Sequence, residues 1–184
     1  PTDEAMLPSV LAAAGYQTFG LGKWHLGYAD HFHPLSRGFS KWYGFLQGAR
    51  SYWPMKGTKL NRLLDGREPI KETFSYMTDA LGQKASEYIK VAKGPFFMYL
   101  SFNAVHSPMH AKPEVLQKVK GIRAKRRKTL SAMTRSLDDA VGAVLDALKA
   151  AKKEENTLVF FVNDNGGATN NGSRNGPLRG HKGT

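Results

Sequence analysis

Apolar residues recur at helical spacing in some stretches of the chain and in short unbroken runs in others, and this alternation lays out the elements. Met6, Leu7, Val10, Leu11 and Ala14 share a helical face, with Thr2 placed to cap it and Gly15 to end it. Tyr16–Leu21 then reads as a short strand that runs into Gly22-Lys23-Trp24-His25-Leu26-Gly27. Residues 28–70 are rich in glycine, aromatic and basic side chains, and Asp65-Gly66 predicts a hairpin. Phe74–Ala92 carries Met77, Leu81, Ala85, Tyr88 and Ile89 along one helical face, and Gly94-Pro95 stops it. Phe96–Phe102 predicts a strand, and Pro113 can open a short helix. A longer helix follows, with Leu130, Met133, Leu137, Val141, Val144, Leu145 and Leu148 as its expected buried stripe. Asn156 closes that region, Thr157–Val162 reads as the last strand, and Asp164 to Thr184 as a Gly/Asn loop.

Strands alternating with amphipathic helices predict a layered α/β domain. In such sheets the chemistry gathers in loops beyond the strand C-terminal ends. Here the three expected strands are followed by loops carrying Lys/His, Asn/His and Asp/Asn. Lys23 and His25 lie two apart, so an extended segment would turn both to one side. A tight turn with a packed histidine is the equally simple alternative. His106, in Asn103-Ala104-Val105-His106-Ser107-Pro108, could donate to an anion or protonate a leaving group, or simply bond the loop backbone. His110 is the weaker candidate, since Pro108 and Met109 separate it from the strand end. Asn163-Asp164-Asn165-Gly166-Gly167 offers oxygen ligands of the hard-cation type, although an Asx-rich turn has the same composition. Lys182 sits in Gly180-His181-Lys182-Gly183-Thr184 without the spacing of a Walker loop.

Composition narrows the classes. The 184 residues suffice for one domain with a core, and 41% hydrophobic with 23% charged residues fits an ordinary globular protein. No stretch approaches the roughly 20 apolar residues of a membrane span. Without cysteine there is neither disulfide nor thiolate metal site. A net charge of +12 raises the possibility of a polyanion partner. Much of it lies in Arg123, Lys125, Arg126, Arg127 and Lys128, read as a solvated loop and helix start. No aromatic residue interleaves with that run, which argues against a single-stranded nucleic acid surface. Both ends look cut: Pro1 follows no initiator Met, and Thr184 falls inside a glycine-rich loop.

Taken in order, these loops resemble the sulfatase family of the alkaline phosphatase superfamily. Gly15-Tyr16-Gln17-Thr18 leading into Gly22-Lys23-Trp24-His25-Leu26-Gly27 is similar to the second family signature. Arg37-Gly38-Phe39, Trp42-Tyr43-Gly44-Phe45, Pro95–Leu100 with Asn103–Pro108, Leu137–Gly142, Asp164–Gly167 and Asn175–Gly180 extend the likeness over nearly the whole chain. The resemblance implies a three-layer α/β/α fold with a mostly parallel mixed central sheet, incomplete at both ends, and residues 1–184 as part of one catalytic domain. It implies sulfate ester hydrolysis by the full-length parent, through a formylglycine nucleophile and a calcium ion. Carried over by position, Lys23 would contact sulfate and nucleophile and His25 would bond the nucleophile. His106 and Lys182 would bind sulfate oxygens, with His106 the candidate acid. Asp164 and Asn165 would be calcium ligands. A sulfated small molecule or glycan would be the substrate, with no nucleic acid partner, and the protein would be exported. The chain departs from the family in lacking a Cys/Ser-x-Pro-x-Arg motif and the upstream acidic metal ligands, so the fragment alone is expected to be inactive. A phosphoryl or phosphonate hydrolase of the same superfamily, or a non-catalytic polyanion-binding protein, are the alternatives.

Overall fold

The computed structural model describes residues 2–56 and 62–184. A five-stranded sheet organises them, in the order β4-β3-β2-β1-β5. β1 (Gln17–Lys23) is the middle of three parallel strands, flanked by β2 (Lys41–Phe45) and β5 (Phe96–Ser101). The short hairpin of β3 (Leu64–Asp65) and β4 (Glu68–Pro69), turning at Asp65-Gly66 as expected, adds antiparallel strands beyond β2. The sheet is therefore mixed and its core parallel.

Strand alternation divides β1 between two layers. Phe19 and Leu21 point to α2 (Met77–Val91), where Met77, Leu81, Ala85 and Tyr88 complete the main core. On the other face Trp24, Phe39 and Trp42 pack with Met6 and Leu35, and Gly20 leaves room for the Trp42 and Phe39 rings. Thr18 is buried there, its hydroxyl donating to the Gly38 carbonyl at 2.8 Å, while Ser40 N–H donates back to the Thr18 hydroxyl at 2.9 Å. Helix α1 (Leu7–Ala13) lies toward this second face, and α3 (Pro113–Lys118) packs on α4 (Lys125–Ala150).

Several sequence expectations are corrected. α1 starts at Leu7 with Pro8 in its first turn, and Met6 rather than Thr2 holds the cap position. Leu7 and Val10 remain exposed. β2 lies inside what reads as irregular chain. α4 buries Leu130, Met133 and Leu148 of the expected stripe and adds small residues beside them, because Gly82 and Ala140 bring α2 and α4 so close that a Cβ on Gly82 would stand 3.0 Å from that of Ala140. Ala132, Ser136, Ala140 and Ala147 are buried, whereas Leu145 is exposed. The largest departure is Thr157–Val162, which forms no ladder, with Leu158, Phe160 and Val162 about 80% exposed (80%, 79% and 78%). Strand propensity needs a neighbouring edge to pair with, and none of the described strands lies alongside.

Two internal constraints hold the loops. Arg50 and Glu72 form a buried pair, the guanidinium bridging both carboxylate oxygens at 2.7 and 2.6 Å. Glu72 also accepts from the Met55 and Leu63 backbone N–H groups, which ties together the loop between β2 and β3. At the strand ends, Gly22 has φ +96° and its missing side chain would sit 1.9 Å from the Ser101 carbonyl oxygen. Gly15 also has positive φ but faces open space. Gly22→Ala is therefore expected to cost about 3 kcal/mol or more, from backbone strain plus overpacking, and Gly15→Ala only about 1 kcal/mol. Urea denaturation of both variants checks this, and equal losses would contradict it.

Candidate functional site

The three parallel strands end on one edge of the sheet, and the loops that leave them carry the candidate residues. Lys23 closes β1, half-buried. Burial first, and the like charge of Lys182 second, push its ammonium below the ordinary lysine range, while Asp164 opposes the shift. Lys182 and Asp164 are thus both within electrostatic reach of Lys23.

His25 does not continue the extended path. Trp24 and His25 N–H groups donate to the Phe45 and Leu46 carbonyls at 3.0 and 3.1 Å, following the end of β2. His25 then takes φ +59°, a left-handed conformation that costs a non-glycine residue about 1 kcal/mol or more. Its exposed ring lies against Gly48, where a Cβ would stand 2.5 Å from both Cε1 and Nε2. The same-side geometry expected for Lys23 and His25 is replaced by this turn. Gly48 is a residue that the sequence reading missed, and only the close approach identifies it.

His106 leaves the end of β5 through a short turn, its N–H donating to the Asn103 carbonyl at 2.8 Å. Its Nδ1 lies 2.8 Å from the Ser107 carbonyl, which can only accept, so Nδ1 carries a proton. Nε2 is then the free nitrogen, a lone pair in the neutral ring and a donor in the cation. Beneath this turn the buried Tyr52 hydroxyl lies 2.7 Å from the Asn103 carbonyl and 2.8 Å from that of His106. Burial raises the phenol pKa, so it stays a donor. Of the residues between β2 and β3, Arg50 and Tyr52 face inward, whereas Trp53 is half-buried and Lys56 exposed. The Asn103 carboxamide is 3% exposed with neither polar atom partnered, an unsatisfied group at the base of the His106 turn. His110 is held apart by Tyr76, which donates to its carbonyl at 2.8 Å, and by the Trp53 ring stacked on it.

Asp164 and Asn165 are exposed, following the unpaired segment rather than a strand. The turn that carries them is folded against the Lys182 loop. Gly167 and Asn175 exchange two hydrogen bonds, at 2.7 and 2.9 Å, and a Cβ on Gly166 would lie 3.2 Å from the His181 backbone. His181 Nδ1 donates to the Lys182 carbonyl at 2.8 Å. Asp164 and Asn165 bring hard oxygen donors, but among the described residues no group of three or more His, Cys, Asp or Glu comes together. They fit part of a hard-cation shell, not all of it.

Residues 1–184 match the family description Sulfatase over their whole length. The chain belongs to the sulfatase family. This sulfatase is 33% identical over 201 residues to canine N-acetylgalactosamine-6-sulfatase, covering 97% of the chain and 36% of that relative. It is 33% identical over 195 residues to mouse arylsulfatase J, covering 100% of the chain and 32% of the relative. Among solved structures, Ps i-CgsB in complex with k-i-k-neocarrahexaose superposes with a TM-score of 0.93 at 37% identity, covering 100% of the chain and 45% of that structure. The PsFucS1 sulfatase from Pseudoalteromonas sp. shares the fold, with a TM-score of 0.69 at 24% identity over 89% of the chain and 38% of that structure. The chain thus spans between a third and a half of the lengths of these proteins.

Gly48→Ala is expected to swing the His25 ring away while leaving the melting temperature nearly unchanged, since the ring is exposed and free to move. The imidazole carbon-bound proton resonances of His25 should shift by NMR. Unchanged resonances would contradict the role of Gly48 as the wall behind that ring.

Proposed function

We propose that the whole protein hydrolyses sulfate esters, with a sulfated saccharide as substrate, and that Lys23, His25, His106 and Lys182 form the basic side of its pocket. The observation that carries this reading is the convergence of the loops of β1, β2 and β5 at one sheet edge, with Lys182 and Asp164 both within electrostatic reach of Lys23. Two ammonium groups near each other are unfavourable in isolation, and a bound sulfate dianion-like transition state would reverse the sign of that interaction. The oligosaccharide in the Ps i-CgsB complex and the name of the N-acetylgalactosamine-6-sulfatases support a saccharide rather than a simple aryl sulfate.

In this mechanism Lys23 and Lys182 donate to the sulfate oxygens and hold the sulfur for attack. His106, with Nδ1–H tied to the Ser107 carbonyl, presents protonated Nε2 to the bridging oxygen and passes its proton to the departing alcohol. His25, its backbone held by the Leu46 carbonyl and its ring resting against Gly48, bonds the attacking group and takes its proton. Asp164 and Asn165 would hold a calcium ion together with ligands outside the described residues, and the bound ion would draw charge from the sulfate oxygens. The hydrate of a formylglycine outside the described residues would supply the attacking oxygen and the proton that His25 takes. On this reading residues 1–184 are one part of a single catalytic domain, and the protein is exported. Among the described residues no helix is long and apolar enough to cross a membrane.

Alanine at Lys23, His106 or Lys182 in the full-length enzyme is expected to lower kcat/KM for a sulfate ester about a hundredfold or more, as loss of an oxyanion donor does. Melting temperatures should stay close to that of the parent. Retention of activity by His106→Ala would overturn the assignment, and a preference for the matching phosphate ester would favour phosphoryl transfer.

A further inference from the structure

The basic run at the start of α4 does not simply face solvent. Residues 170–174 fold back onto it, and Gly172, at φ +90°, comes so close that a Cβ would stand 2.8 Å from the Arg127 backbone nitrogen. Arg126 donates to the Asn170 carbonyl at 2.9 Å and Arg127 to the Gly172 carbonyl at 3.2 Å. Each bond uses one guanidinium nitrogen, leaving the others free. Between the helix start and the loop lies a cleft of about 630 Å³, lined by Arg123, Arg126, Arg127 and Arg174 together with small residues such as Ser173. No acidic residue lines it, the first turn of α4 has none, and none of these arginines appears in an ion pair among the described residues.

We propose that this cleft binds the anionic chain of a sulfated polysaccharide. Four arginines on one open concavity repel each other unless anions lie between them, and guanidinium forks suit two-point contact with oxyanions. The wall formed by residues 170–174 belongs to the loop that joins Asn165 to Lys182. A polymer held in the cleft therefore engages the segment that positions those candidate residues. No aromatic side chain lines the cleft, so the stacking platforms of a single-stranded nucleic acid site are lacking. The inference rests on the proposed sulfated substrate for its biological sense, but its binding test needs no turnover.

The test uses the full-length protein and fluorescein-labelled dextran sulfate, with neutral dextran and single-stranded DNA of matched charge as comparisons. Arg123→Ala/Arg174→Ala is the informative variant, because neither side chain makes a hydrogen bond that staples the loop. It should bind dextran sulfate about tenfold or more weakly at low salt, and the slope of log affinity against log salt should fall by about one for each arginine removed. Charge reversal at Arg174 alone, by Arg174→Glu, should weaken binding more than Arg174→Lys, which keeps the charge but loses the two-point contact. Melting temperatures and turnover of a small aryl sulfate should not change. Unaltered dextran sulfate affinity in both the double variant and Arg174→Glu would overturn the proposal. So would single-stranded DNA that binds more tightly than dextran sulfate and loses affinity in the same variants.

Discussion

The candidate pocket depends on how closely three parallel backbones can run at their C-terminal ends. Gly22 permits β1 to lie against the Ser101 carbonyl of β5, and a Cβ on Gly44 of β2 would stand 2.1 Å from the Gly22 carbonyl oxygen. Side chains at either position would wedge the strands apart. With both absent, the turns after β1, β2 and β5 leave the sheet at one edge. Lys23, the His25 turn and the His106 turn therefore start from a common, rigid level, which is the preorganisation that a charged site needs.

Around that edge the fold holds polar groups in place by burial. Tyr52 braces two carbonyls under the His106 turn, and the Arg50–Glu72 pair fixes the chain that carries Gly48, Tyr52 and Trp53. A buried ion pair contributes little net stability, yet removing one partner leaves an uncompensated charge at a cost of roughly 3–5 kcal/mol. That asymmetry makes the pair a strong constraint on loop geometry. The approach of Lys182 to Lys23 works against stability, and Asp164 offsets only part of it. On the proposed reading, such a tension where three strand ends meet would be relieved by a bound anion.

Much of this was legible in the residues, and the failures have physical causes. α2 and β5 were readable because a long apolar stripe and a six-residue apolar run have few alternative folds. The family signatures nominated Lys23, His106 and Lys182 as candidates, and the comparisons bear out the sulfatase family and its fold. β2 escaped because Trp42, Tyr43, Gly44 and Phe45 are buried on both faces and so show no alternation. On α4 Leu130, Met133 and Leu148 are buried as the stripe predicts, but Ala132, Ala140 and Ala147 join them, since a glycine on the facing helix allows close approach. Thr157–Val162 has every intrinsic mark of a strand, but pairing is a property of two segments, and intrinsic preference alone does not supply the second. The contact of His25 with Gly48 lies outside any sequence pattern, because it follows from one left-handed residue.

On the proposed reading Lys23, His106 and Lys182 bound one sulfate-sized space beside Asp164 and Asn165. A crystal structure of the full-length protein grown with calcium and sulfate measures it directly. A sulfate is expected with oxygens within about 3.2 Å of Lys23 Nζ, Lys182 Nζ and His106 Nε2, and a calcium ion on Asp164 and Asn165. Sulfate bound away from these three nitrogens, or Lys23 and Lys182 turned to separate surfaces, would contradict it.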